Sequence, residues 1–85
     1  MKWDLVVANP ARRAIRDLPR ADAEQILEAL EEMRTDPYAG DIKFLKGTDR
    51  ALRRRVGVWR IMFEVLTERR IVVIQDVERR DSNTY

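Results

Sequence analysis

The sequence predicts an α+β domain: an N-terminal strand, a two-helix hairpin, then a three-stranded antiparallel meander. Three observations predict it. Between residues 10 and 34 apolar residues recur at spacings of three and four, the period of an amphipathic helix. From Ala51 onward they alternate with charged residues, the period of a strand. The helical and strand patterns occupy separate stretches, which fits helices grouped on one side of a mostly antiparallel sheet. The 85 residues suit one domain spanning 1–85, with no internal repeat or second unit.

The elements follow in order. Met1 to Val7 reads as a strand with Trp3, Leu5 and Val7 on one face. Asn9-Pro10 starts a helix: Asn9 is a capping residue, and Pro10 suits the first helical position, where an N–H would have no partner. That helix runs from Pro10 to Leu18 with Ala11, Ala14, Ile15 and Leu18 on its apolar side, and Pro19 ends it. A second helix is expected over Ala21–Arg34. Ala23, Ile26, Leu27, Leu30 and Met33 form its stripe, and Glu24, Glu28, Glu31 and Glu32 lie on the solvated side. Thr35 to Arg50 reads as a loop, with turn signals at Asp36-Pro37, Gly40-Asp41 and Gly47, pinned to the core by Ile42, Phe44 and Leu45. In the first strand of the meander, Leu52, Arg54 and Val56 alternate with Arg53 and Arg55. Gly57-Val58 makes a tight turn. Trp59, Ile61, Phe63 and Val65 then alternate with Arg60, Met62 and Glu64, and Thr67–Arg70 turns the chain into a β-branched strand, Ile71–Val77. Glu78 to Tyr85 reads as a polar tail.

Composition narrows the function classes. No histidine and no cysteine are present, so a serine triad, a cysteine dyad and a His/Cys zinc site are excluded. The three glycines, Gly40, Gly47 and Gly57, make no phosphate-binding loop. Neither a metal nor a cofactor is expected. No apolar run reaches the length of a membrane span, and Met1–Val7 is too interrupted for a signal peptide, so the expected location is the cytoplasm. Charge is unevenly shared. Residues 1–42 carry 6 Lys/Arg against 9 Asp/Glu, and residues 43–85 carry 11 against 6. Fourteen of the 17 cations are arginine, the side chain best shaped to grip phosphate. An anionic partner suits the basic half; a solvated, salt-bridged surface is the other reading. Chemistry without histidine, cysteine or metal has one undemanding candidate. RNA supplies its own nucleophile, the 2′-hydroxyl, and asks the protein only to orient it, to stabilise phosphoryl charge and to manage protons.

Four segments, in order along the chain, carry a resemblance. They are Leu18-Pro19; the loop Asp36-Pro37-Tyr38-Ala39-Gly40-Asp41-Ile42-Lys43-Phe44-Leu45-Lys46-Gly47; the hairpin Arg55-Val56-Gly57-Val58-Trp59-Arg60-Ile61; and the ending Glu78-Arg79-Arg80-Asp81-Ser82-Asn83-Thr84-Tyr85. Together they resemble the RelE/ParE superfamily of toxin–antitoxin toxins, and more closely its RelE-type messenger-RNA interferases. The resemblance implies a RelE-like fold and an antitoxin partner that holds the toxin inactive. It implies one of two targets: messenger RNA cut in the ribosomal decoding site, or, for ParE-like members, DNA gyrase. It also implies site residues. Arg60 matches the hairpin arginine on the scissile phosphate, Arg80 the C-terminal arginine acting as acid or charge stabiliser, and Tyr85 the terminal tyrosine that orients the nucleotide. Arg53 and Arg55 match basic strand positions where relatives often carry lysine, and Lys43, Lys46 and Arg79 are further RNA-backbone contacts.

Trp59 stands where the family's hairpin usually has tyrosine. Arginine cannot readily act as a general base, so Arg53 and Arg55 leave that role unfilled. The leading expectation is a metal-independent, ribosome-dependent endoribonuclease that inhibits translation. The alternatives are a gyrase poison, or a catalytically degenerate toxin that only binds its antitoxin. Read without the family, Arg53-Arg54-Arg55 is a charged edge strand that discourages sheet-to-sheet aggregation. Arg60 is a cross-strand partner of Glu64, Asp76 or Glu78, and Arg79-Arg80 with Tyr85 is a solvated tail.

Overall fold

The computed structural model describes residues 2–45 and 51–79. Strand β1 (Asp4–Val7) is followed by helices α1 (Asn9–Arg16) and α2 (Arg20–Thr35). Strands β2 (Asp41–Phe44), β3 (Ala51–Val56) and β4 (Trp59–Leu66) come next, then a short 3₁₀ turn and β5 (Ile71–Arg79). One sheet in the order β1-β5-β4-β3-β2 contains all five strands. β1 runs parallel to β5, and every other neighbouring pair is antiparallel. This is the α+β arrangement expected, with one strand more than the alternating pattern foretold.

That strand is β2. Asp41–Phe44 was expected to be loop; it pairs with β3 through Asp41↔Arg55, Ile42↔Arg54, Lys43↔Arg53 and Phe44↔Leu52. Four residues are too few to show a period, and the flanking turn signals hide them. Phe44 pins nothing, being 53% exposed, because an edge strand has no further neighbour to cover it. The meander therefore has four strands, β2 to β5, and the strand bearing Arg53–Arg55, read without the family as an edge, is interior because β2 pairs outside it.

Other boundaries moved for local reasons. Asn9 is the first helical residue and not the cap. Ala8 holds the cap position and has no polar side chain to cap with; its N–H is given to the Ile74 carbonyl at 2.8 Å. The parallel ladder of β1 thus runs directly into α1. Pro19 caps α2 with an extended backbone, and Asp22 in the first turn and Arg34 in the last complement the helix dipole. Leu27 was expected in the buried stripe of α2; it is 50% exposed, and Ala29 is buried in its place. The Gly57–Val58 turn joins β3 to β4, and Gly57 takes φ +60, which a side chain would resist.

The core lies between the helices and one face of the sheet. Ala11, Ile26, Ala29, Leu30 and Met33 meet Leu52, Ile61, Phe63, Val65, Val72, Ile74 and Val77. At about 25 cal/mol per Å² of apolar surface, fully buried side chains such as Phe63 and Ile26 dominate the stability of so small a domain. Among the described residues no helix is long and apolar enough to cross a membrane.

One irregularity decides what the other face displays. The β4–β5 register slips between Met62 and Phe63, whose partners are Asp76 and Ile74, so Gln75 is an extra residue. Strict alternation from Ile74 would send Asp76 and Glu78 toward the helices. The bulge reverses this: Val77 enters the core, and Asp76 and Glu78 turn to the open face. Bulges re-aim side chains in this way.

Candidate nucleic-acid interface

Residues opposite one another in a ladder project from the same face, so the register specifies what the helix-free side carries. One row is Asp41–Arg55–Arg60–Glu78 and the next is Lys43–Arg53–Met62–Asp76. Lys43, Arg53, Arg55 and Arg60, from three adjacent strands, are thereby brought together, with Met62 as their apolar floor and carboxylates along both margins. Asp41, Ile42, Lys43, Arg53 and Arg55 line a depression of about 190 Å³.

The cations differ in their commitments. Arg55 Nε lies 3.6 Å from Asp41 Oδ2, and both side chains are largely exposed. Such a pair contributes about 0–1 kcal/mol, so an incoming phosphate can displace it. Arg60 is half-buried, and its Nε is out of reach of water and without a hydrogen-bond partner. An unpaired buried donor costs about 1–3 kcal/mol. Arg60 forms no ion pair with Glu64, Asp76 or Glu78 among the described residues, so the cross-strand reading of this side chain is not realised.

Arg79 does not join this group. It lies opposite Trp59 in the ladder, on the helix side, with its guanidinium 5.9 Å from the indole centroid. The bulge that brings Glu78 to the open face sends Arg79 away from it. Lys46, Arg80 and Tyr85 lie outside the described residues.

Arg54 is a residue whose role sequence reasoning missed. It shares the apolar phase of β3 with Leu52 and is 8% exposed. Its guanidinium donates to the Ala29 carbonyl at 3.3 Å and to Glu32 on α2, tying the strand that bears Arg53 and Arg55 to the helix beneath. Gly40 makes room for it: a Cβ there would stand 2.7 Å from Arg54 Nε. An arginine at a core phase was the available signal. Among the described residues no three metal-ligating side chains converge on one point.

A second concavity lies on the helix side. Leu5, Val7, Ile15, Leu27 and Leu30 line a groove of about 430 Å³ with Arg12 and Arg16 at its rim. Exposed Leu27 belongs to this groove, and not to the core.

Comparison with known proteins places the chain in a family. No family model matches the chain. A protein named toxin RelE1 from Methanocaldococcus jannaschii is 32% identical over 84 residues, 95% of this chain and 93% of that protein. The RelE–RelB complex of Pyrococcus horikoshii contains a chain that superposes with a TM-score of 0.84 at 22% identity, covering 96% of this chain and 99% of that one. The toxin–antitoxin complex RelBE2 of Mycobacterium tuberculosis gives 0.83 at 22% identity, covering 94% and 100%. These two show the shared fold; the identity to the first relative, over nearly the full length of both chains, shows that this protein belongs to the RelE family within the RelE/ParE toxin superfamily.

Proposed function

We propose that this chain is the toxin of a toxin–antitoxin pair and cuts messenger RNA on the ribosome through its open sheet face. The observation that carries the reading is the register that sets half-buried Arg60, which has no ion pair among the described residues, on the same face as Lys43, Arg53 and Arg55. An RNA backbone presents phosphates that such a face can hold. Arg60 grips the scissile phosphate, and its charge stabilises the extra negative charge on the phosphoryl oxygens as the 2′-hydroxyl attacks. Arg53, Arg55 and Lys43 hold flanking phosphates and set the register of the strand. By family correspondence Arg80 steadies the charge on the leaving group and Tyr85 orients the nucleotide. Arg79, on the Trp59 side, acts there as a strand anchor.

Two solved relatives are complexes of a RelE chain with its antitoxin, and the groove bordered by Arg12 and Arg16 offers an apolar seat with a basic rim. An amphipathic antitoxin segment with acidic flanks fits it.

Inducible expression in bacteria followed by primer extension tests the nuclease reading. Discrete cuts within translated codons are expected. Arg60→Ala should reduce them about 10²–10³-fold, the cost of losing one charge-stabilising donor, and Arg80→Ala should reduce them as well. Growth arrest with messenger RNA intact would transfer the reading to gyrase. Antitoxin binding with neither arrest nor cuts would leave only the binding module.

A further inference from the structure

Cleavage of RNA by its own 2′-hydroxyl needs a group that removes the proton. The arginines of the open face cannot serve, because a guanidinium stays protonated. Among the described residues the lysine of this face is Lys43, which sits two strands from Arg60 and in the other row, on the order of 10 Å away at the usual strand spacing.

Among the described residues five carboxylates share the face, and four are committed or remote. Asp4 lies on β1 opposite Ile71, two strands from β4 and at the far end of the sheet from Arg60. Asp41 is on β2, two strands from Arg60 and so on the order of 10 Å away. Asp76 accepts the Val77 N–H at 2.8 Å. Glu64 lies opposite Ala51 and Val73, four residues along β4 from Arg60 and so roughly 13 Å distant. Glu78 remains. It is exposed, it has no ion pair or hydrogen bond among the described residues, and it stands directly opposite Arg60. Opposed residues of an antiparallel ladder have Cα atoms about 4.5–5.5 Å apart, so the two side chains leave the sheet as neighbours. The bulge at Gln75 exists at some cost in ladder pairing, and its result is to place Glu78 on this face.

We infer that Glu78 is the general base of the cleavage, working beside Arg60; the inference rests on the reading of this face as the messenger-RNA site. In the reactive conformer the 2′ oxygen stands about 3–3.5 Å from phosphorus, a span that two neighbouring side chains can bracket. The 2′ oxygen forms a bond to phosphorus as its proton passes to the Glu78 carboxylate. The bond from phosphorus to the 5′ oxygen breaks, and that oxygen takes a proton from water. The hydroxide so formed recovers the proton from Glu78. The products are a 2′,3′-cyclic phosphate and a 5′-hydroxyl end.

The test is single-turnover cleavage of a defined messenger RNA on programmed ribosomes, with the full chain, across a range of pH. Glu78→Gln should lower the saturated rate about 10²–10⁴-fold, the usual contribution of a general base, with the half-saturating toxin concentration unchanged. It should also abolish the fall in rate on acidification shown by the wild type, whereas Glu78→Asp should keep that fall. Glu64→Gln should cut as the wild type does. A Glu78→Gln variant that cuts within about threefold of wild type, or whose loss is recovered at higher concentration, overturns the assignment, since a residue that only supports binding or folding moves affinity rather than saturated rate. If the wild type leaves ribosome-bound messenger RNA intact, the nuclease reading itself has failed. If wild type and Glu78→Gln cut alike, only the base has been misassigned.

Discussion

Arg54 illustrates how one charged side chain is kept inside a small core. Its guanidinium has two partners of different kinds, the fixed Ala29 carbonyl and the Glu32 carboxylate, whose side chain remains 61% exposed. The partners are therefore unequal in what their loss would do. Removing Arg54 strands nothing, because Glu32 is already hydrated. Removing Glu32 leaves a buried cation with one carbonyl, the circumstance in which breaking a buried pair costs about 3–5 kcal/mol. Glu32→Ala is therefore expected to destabilise the fold by about 3 kcal/mol and Arg54→Met by about 1 kcal/mol, the longer apolar side chain refilling the site. Urea unfolding of the two variants checks the order; a larger loss for Arg54→Met would show that the guanidinium contributes more than its charge balance.

At the scale of elements, the two edges of the meander behave differently. β4 and β5 sit inside the sheet and carry the core. β2 is a four-residue edge strand whose aromatic faces water. Phe63→Ala should cost about 3–5 kcal/mol, as for a fully buried aromatic, while Phe44→Ala should change stability by less than about 1 kcal/mol, both read from thermal or urea unfolding. A large loss at Phe44 would mean that the strand contributes to a core after all. These same elements show what was legible beforehand. The helices and β3 to β5 were readable because their periods of 3.6 and 2 extend over six residues or more. β2 was not, because its order comes from its neighbour β3 rather than from its own composition. The cationic positions Arg53, Arg55 and Arg60 followed from alternation alone. Glu78 and Arg79 did not, because a single bulged residue, Gln75, inverts the alternation after Ile74 and no local pattern announces it. Arg54 was legible as a residue at a core phase, but its partners on α2 are set by tertiary packing.

Across the described residues the acidic and cationic clusters lie on different sides. Glu24, Glu28, Glu31 and Glu32 surround the exposed surface of α2, while Lys43, Arg53, Arg55 and Arg60 cluster on the open sheet face with carboxylates at its margins. The attraction such a face offers a polyanion is local to the cationic cluster and acts at contact distances, within a Debye length. The contribution of the basic face is measurable through salt. Each phosphate neutralised on a single strand releases counterions and adds about −0.7 to the slope of log affinity against log salt concentration. Engagement of all four cations gives a slope of about −3, and replacing Arg53 or Arg55 with alanine should reduce its magnitude by about 0.7. Arg79→Ala, on the Trp59 side of β5, should leave the slope unchanged. Binding of a short, 2′-deoxy-blocked RNA measured over a series of salt concentrations checks all three. A slope unaffected by Arg53→Ala yet reduced by Arg79→Ala would move the RNA to the other side of the sheet.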